Sequence, residues 1–155
     1  MIMGIISRHL TIDMYGCSFE SLTTMEILKQ AMLTAIAESN MTLLEFTEYQ
    51  FQPQGLTGLA ALALLAEGHM SIHTFPDKGY AAIDLFNYSD ASQPDNASKV
   101  LKKFLKPEKI KITNIKRGDF GSISDMKPKI RVSSTPIRRV RDTGAKVFKF
   151  LSRSK

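Results

Sequence analysis

The sequence predicts an α+β fold, a two-layer sandwich in which a mainly antiparallel sheet carries two helices on one face. Segments with alternating apolar and polar residues, typical of half-buried strands, recur along the chain. Two other segments show the helical spacing of apolar residues, and short turns join neighbouring strands. The order strand, helix, strands, helix, strand is typical of such a two-layer packing.

The first strand and first helix follow from residues 8–40. Leu10, Ile12 and Met14 alternate with polar residues and predict a strand over 8–15. A helix capped by Ser18 or Ser21 then extends to about residue 40. Its apolar stripe consists of Leu22, Met25, Leu28, Met32 and Ile36. A methionine-containing stripe can form a binding groove, but a core-facing role is favoured.

Five more strands and a second helix follow. Residues 42–51 predict a strand, and the apolar run 56–66, ambiguous between strand and helix, is assigned to a buried strand by its length and flanking strands. Residues 69–75 and 80–88 form a hairpin around a turn of Pro76, Asp77 and Gly79. The last elements are a helix over 97–105 and a strand over 109–116.

Length and charge indicate one folded domain followed by a basic tail. The chain has 155 residues, of which 43% are hydrophobic and 23% charged, which excludes a disordered chain. Residues 127–155 contain ten Lys or Arg and one acid, whereas residues 1–126 contain eleven basic and fourteen acidic residues. We therefore assign 1–126 to the domain and 127–155 to a tail. The tail suits nucleic acid, an acidic membrane or an acidic partner, although a solvated terminus is favoured.

Cysteine use and hydropathy favour the cytoplasm. Cys17 is the single cysteine, so an internal disulfide is excluded and a reducing compartment is favoured. Arg8 and His9 interrupt the apolar N-terminus, which is therefore no signal peptide. The longest apolar run, 56–66, is about half the roughly 20 residues of a membrane span.

Segment 67–86 is the densest in chemically active side chains. His69 and His73 lie on one side of the predicted strand, next to Glu67 and Asp77. Two histidines four residues apart on a strand are separated by about 13 Å, and no third ligand is placed by the spacing. We therefore expect no metal site.

Several motifs resemble one enzyme family. They are Arg8-His9-Leu10, FQPQGLTG at 51–58, LLAE at 64–67, IHT at 72–74, GYAAIDLF at 79–86 and ITNIKRG at 112–118. Together they cover about residues 6–120, and IHTxPxxGYAAIDLF is highly specific. On these residues the chain resembles the prokaryotic S-adenosylmethionine decarboxylases, the pyruvoyl enzymes of spermidine synthesis.

The resemblance implies a chain that cuts itself. In the family a serine directly follows the glutamate, attacks its carbonyl and ends as a pyruvoyl group that forms a Schiff base with S-adenosylmethionine. Here the triplet is Glu67-Gly68-His69, and glycine has no hydroxyl. The position of the family's proton-donating cysteine is Tyr88, whose unperturbed pKa near 10 makes it a weaker acid. We therefore expect no pyruvoyl cofactor.

Other family positions are retained. His73 and Thr57 match residues that assist self-processing. Phe51 matches an aromatic residue that stacks on adenine, and Asp77 stands where the family commonly has a ribose-binding glutamate. Phe51 is equally compatible with a strand core, and Asp77 and Thr57 with turns.

The expected function is therefore that of a degenerate family member. We expect an uncleaved pseudoenzyme that binds S-adenosylmethionine or regulates polyamine synthesis, as a homodimer or in a mixed dimer with an active decarboxylase. The alternatives are an active decarboxylase whose serine was replaced by engineering, against which Tyr88 argues, and a binding module that uses its basic tail.

Overall fold

The computed structural model describes residues 7–51 and 58–118. The chain divides into two units, Met1–Asp119 and Phe120–Lys155. Thr57 and the basic tail lie outside the described residues.

The elements follow the predicted order. The strands are β1 (Ser7–Tyr15), β2 (Leu43–Phe51), β3 (Gly58–Leu65), β4 (Gly68–Phe75), β5 (Tyr80–Asn87) and β6 (Lys109–Arg117). The helices are α1 (Phe19–Thr23), α2 (Met25–Glu38) and α3 (Asp95–Leu105), and a 3-10 turn covers Pro76–Lys78. The apolar run of 56–66 contains a strand, as its length and flanking strands predicted.

The six strands form one sheet in the order β2-β3-β4-β5-β1-β6, and all neighbours are antiparallel. β5 therefore lies between β4 and β1, while β2 and β6 are the edges. The register between β2 and β3 shifts between Leu43 and Glu45, which leaves a bulge at Leu44. The α+β sandwich is therefore confirmed.

One face of the sheet and the helices enclose the core. Apolar residues at alternate positions of β1, β3, β4 and β5 are buried, together with five residues of α2 and four of α3. The strand contribution includes Leu10, Ile12, Met14, Met70, Ile72, Ile83 and Leu85. Burial of this apolar area is the main force holding the two layers together.

The helix predicted to continue from Ser18 or Ser21 is in fact two helices, because Thr24 interrupts it. Thr24 has extended backbone angles (φ −105°, ψ 108°) and takes the N-cap position of α2. The hydroxyl of Thr23 donates to the carbonyl oxygen of Phe19 at 2.9 Å, a local bond that competes with helix continuation. The prediction of one helix was wrong because the extended backbone of Thr24 ends the first helix, although its side chain makes no capping hydrogen bond to the second.

The opposite face of the sheet, called here the open face, carries the alternate residues of every strand. Register places on it His9 and Asp13 of β1, His69 and His73 of β4, and Tyr80 and Asp84 of β5. Large apolar side chains on this face are also exposed, among them Leu62, Leu64 and Tyr49. Among the described residues, no helix is long and apolar enough to cross a membrane.

Candidate functional site

The predicted site residues fall into two groups at opposite ends of β4. Glu67 and Gly68 lie where β4 begins, and His73 lies near its other end. His73 lies five positions after Gly68 along the strand, a distance of about 17 Å. One chain therefore does not bring these two residues together.

The first group, called the turn group, consists of Thr42, Glu67, Gly68 and Tyr88. Leu65 pairs with Gly68, so Ala66 and Glu67 form a two-residue turn between β3 and β4. The backbone N–H of Tyr88 donates to the carbonyl oxygen of Glu67 at 3.0 Å. The Tyr88 hydroxyl donates to the carbonyl oxygen of Ala66 at 2.5 Å.

Thr42 binds both the side chain of Glu67 and the backbone of Ala66. Its backbone N–H donates to Glu67 Oε2 at 2.8 Å, and its hydroxyl donates to Glu67 Oε1 at 3.0 Å. The N–H of Ala66 in turn donates to the carbonyl oxygen of Thr42 at 2.9 Å. The backbone bond from Thr42 is the main cause that lowers the pKa of the Glu67 carboxyl, since it stabilises the ionised form.

Position 68 has no room for a side chain. A Cβ atom there would overlap the carbonyl oxygen of Phe86 and lie 2.8 Å from its carbonyl carbon. The φ angle of Gly68 is +152°, a conformation that side chains of L-residues rarely adopt. Position 68, which the family resemblance assigns to the pyruvoyl precursor, therefore holds a residue that fits that role neither by chemistry nor by geometry.

The second group lies on the open face at the other end of β4 and contains a row of aromatic rings. Phe51 meets Phe75 edge-on at 6.3 Å, and Phe75 stacks on Tyr80 at 5.6 Å. Tyr80 also stacks on Tyr15 at 5.2 Å, and its hydroxyl donates to Asp13 Oδ1 at 2.5 Å. This bond is the main cause that raises the pKa of Tyr80 to about 12.

His73 and Asp77 belong to the same end of β4 as this aromatic row. His73 is exposed and lies between Ala60 and Ala82 of the neighbouring strands, whose small side chains leave its imidazole accessible. Asp77 is exposed in the turn after β4, which ends at Gly79 with φ +57°. Aromatic rings stack on flat heteroaromatic groups and a carboxylate accepts hydrogen bonds from hydroxyl groups, so this end of β4 suits a ligand that has both.

A third cluster of side chains lies on the open face, and these residues were not predicted to lie together. His9 Nε2 lies 3.0 Å from Asp84 Oδ1, and His69 stacks on Phe86 at 5.4 Å. The guanidinium of Arg117 covers the same Phe86 ring at 5.1 Å. The alternating pattern of apolar and polar residues in β1 and β5 could have indicated which side chains share a face. It does not reveal that β1 pairs with β5, because the two strands are far apart in the sequence. No cluster of three His, Cys, Asp or Glu suited to a metal occurs among the residues that the structure describes.

Comparison with known proteins identifies the family. The family model for S-adenosylmethionine decarboxylase matches residues 8–118. The S-adenosylmethionine decarboxylase proenzyme of Methanococcus maripaludis is 34% identical over 122 residues, which cover 77% of this chain and 98% of that protein. The proenzyme of Brevibacillus brevis is 36% identical over 125 residues, covering 81% of this chain and 91% of the relative.

A solved structure is similar as well. The crystal structure of the adenosylmethionine decarboxylase from Aquifex aeolicus superimposes with a TM-score of 0.67 at 26% identity. The match covers 85% of this chain and 98% of that one. Since the family match spans all six strands and the helices between them, the chain belongs to the S-adenosylmethionine decarboxylase family.

Proposed function

We propose that this chain is an uncleaved member of the family that binds S-adenosylmethionine and regulates polyamine (spermidine) synthesis, without a pyruvoyl group of its own. The single observation that carries the proposal is position 68. A glycine there offers no hydroxyl to attack the Glu67 carbonyl, and the adjacent backbone of Phe86 leaves no space for one.

The second group supports ligand binding. Phe51 supplies a ring at the end of the aromatic row, and Asp77 supplies a carboxylate in the turn that follows β4. Stacking would hold the adenine and the carboxylate would accept hydrogen bonds from the ribose hydroxyls. A shorter acid than glutamate would still present two acceptor oxygens. His73 would lie beside the bound methionine portion.

We further propose that a second copy covers the open face. Six strands about 4.8 Å apart and about 26 Å long give a face of about 750 Å² per copy, or about 1,500 Å² for a pair. This area falls within the range of about 1,200–2,000 Å² of stable interfaces. The exposed Leu62, Leu64 and Tyr49 supply apolar contact area. In such a pair, the end of β4 that carries His73 would pack against strands of the partner copy.

A mixed dimer with an active decarboxylase uses the same face. The chain would then act on the partner, because its own turn group lacks the nucleophile. The single cysteine supports a reducing compartment, and we place the protein in the cytoplasm.

Two measurements test the proposal. Intact mass of the purified protein is expected to show one polypeptide of 17.3 kDa, whereas cleavage between Glu67 and Gly68 would give two. S-adenosylmethionine is expected to raise the midpoint of thermal unfolding, since a ligand that binds only the native state stabilises it. Methionine alone serves as the control ligand. Two fragments, or no thermal shift with S-adenosylmethionine, would refute the proposal.

A further inference from the structure

Gly68 is part of a backbone arrangement and not merely a missing hydroxyl. The pairing of β4 with β5 begins at Gly68, which faces Asn87, and the next bond joins the Tyr88 N–H to the Glu67 carbonyl oxygen. The sheet therefore continues into the turn between β3 and β4. This continuation depends on the close approach of Phe86 to Gly68.

The backbone of β5 has little freedom to retreat from a side chain at position 68. On its other side β5 pairs with β1, where Phe86 faces His9 and Asn87 faces Arg8. Asn87 itself is buried, and its side chain holds the next loop through the N–H of Ser89 at 3.0 Å. Moving Phe86 away from position 68 would therefore disturb pairing on both edges of β5.

Admitting a side chain at 68 would also remove the hydrogen bond that polarises the Glu67 carbonyl. A carbonyl under attack by a hydroxyl needs a donor aimed at its oxygen, and here the donor is the N–H of Tyr88. The shift that makes room for a Cβ atom separates β4 from β5 at this point. The serine and the donor are thus mutually exclusive in this backbone.

We propose that the turn group is a structural clasp that requires glycine at position 68, so that restoring a serine there would open the clasp without restoring cleavage. Tyr88 belongs to the clasp: it binds the turn with its N–H and its hydroxyl. Glu67 belongs to it as well, through Thr42. The inference rests on one part of the proposed function, namely that the chain is not cleaved.

The test compares two glycines with positive φ angles. Gly79 has φ +57°, but a Cβ atom there would meet nothing closer than 3.7 Å, so Gly79→Ala carries the milder strain of a left-handed residue without the collision. We expect Gly68→Ala and Gly68→Ser to lower the thermal midpoint by about 5 °C or more beyond Gly79→Ala. Intact mass of Gly68→Ser is expected to show a single uncleaved polypeptide.

Hydrogen exchange reports the clasp directly. We expect the amide of Tyr88 to exchange at least about tenfold faster in Gly68→Ala than in the parent or in Gly79→Ala, because its acceptor has moved. Two fragments from Gly68→Ser would overturn the inference. A Gly68→Ala protein as stable as Gly79→Ala, with Tyr88 exchange unchanged, would overturn it equally.

A second variant decides the matter if the Gly68 variants do not fold. Tyr88→Phe removes the bond from the Tyr88 hydroxyl to the Ala66 carbonyl and keeps the bond from the Tyr88 N–H. We expect a midpoint a few degrees lower for Tyr88→Phe than for the parent protein, with faster exchange around Glu67. Equal midpoints and equal exchange would overturn the clasp. Failure of S-adenosylmethionine to stabilise the parent protein would refute the proposed function and leave these results unaffected.

Discussion

The ring of Phe51 lies over Gly58, its partner in the register of β2 and β3. A Cβ atom at position 58 would approach the ring Cζ to 2.6 Å, so the glycine makes room for the ring. The same ring meets Phe75 at 6.3 Å with an interplanar angle of 70°. The position of Phe51 at the end of the aromatic row therefore depends on the absence of a side chain on β3.

We expect Gly58→Ala to weaken binding of S-adenosylmethionine about three- to tenfold. The added methyl group displaces the Phe51 ring, and an aromatic contact contributes about 0.5–1.5 kcal/mol. Titration calorimetry measures the change, and Phe51→Leu is expected to produce an effect of similar size. Lys99→Ala on the outer side of α3 is the control. Unchanged affinity in both Gly58→Ala and Phe51→Leu would remove Phe51 from the site.

A charge placed on the open face is expected to separate the proposed dimer. Leu62 is 44% exposed on β3, and Leu62→Asp would bury a carboxylate between two sheets without a partner. Analytical ultracentrifugation is expected to show a monomer for this variant and a dimer for the parent. Gln30→Asp, on an exposed position of α2, is expected to stay dimeric. A dimeric Leu62→Asp would contradict the assignment of the interface to this face.

The Tyr80 hydroxyl is expected to lose its proton at a higher pH than an ordinary tyrosine. Its hydrogen bond to Asp13 favours the neutral phenol, and the pKa rises from 10.0 to about 12. Since folding raises this pKa, the contribution of Tyr80 to stability is full below about pH 10 and is lost as the pH rises towards 12. Absorbance titration of the phenolate should show a step near pH 12 that Tyr80→Phe removes.

Asp13→Asn provides the matching control for Tyr80. Without the carboxylate, the late step is expected to move back towards pH 10, and urea denaturation should lose its steep dependence on pH above 10. A late step that stays near 12 in Asp13→Asn would show that another group causes it.

Cys17 is expected to react slowly with alkylating agents. Burial raises the pKa of its thiol to about 11, so little thiolate is present at pH 8. Iodoacetamide should modify the native chain at least about tenfold more slowly than the urea-unfolded chain. Because Cys17 is the single cysteine, the mass increase reports this residue alone. Equal rates in the two states would contradict the burial of the thiol.

Local patterns predicted the strands better than the helix boundaries and the site. The alternation of His69 and His73 with Met70 and Ile72 assigned β4 and its two faces correctly, because a strand repeats every second residue. The break at Thr24 was missed because the apolar stripe continues across it with helical spacing.

The contacts that build the site are long-range, and the sequence carries no local signal for them. The bonds from Thr42 to Glu67 join residues 25 positions apart. The lack of space at Gly68 comes from Phe86, on another strand. The family resemblance singled out Gly68, whereas its tight backbone environment emerged only from the pairing of β4 with β5.

The bulge at Leu44 bears on the tendency of edge strand β2 to pair with strands of other chains. β2 is an edge strand with exposed Leu43 and Leu44, and a regular edge of this kind recruits foreign strands and seeds fibrils. The register shift interrupts the row of free backbone groups at that point. At the other edge, Lys109 and Lys111 repel an incoming copy of β6. We therefore expect the sheet to resist edge-to-edge association at both β2 and β6.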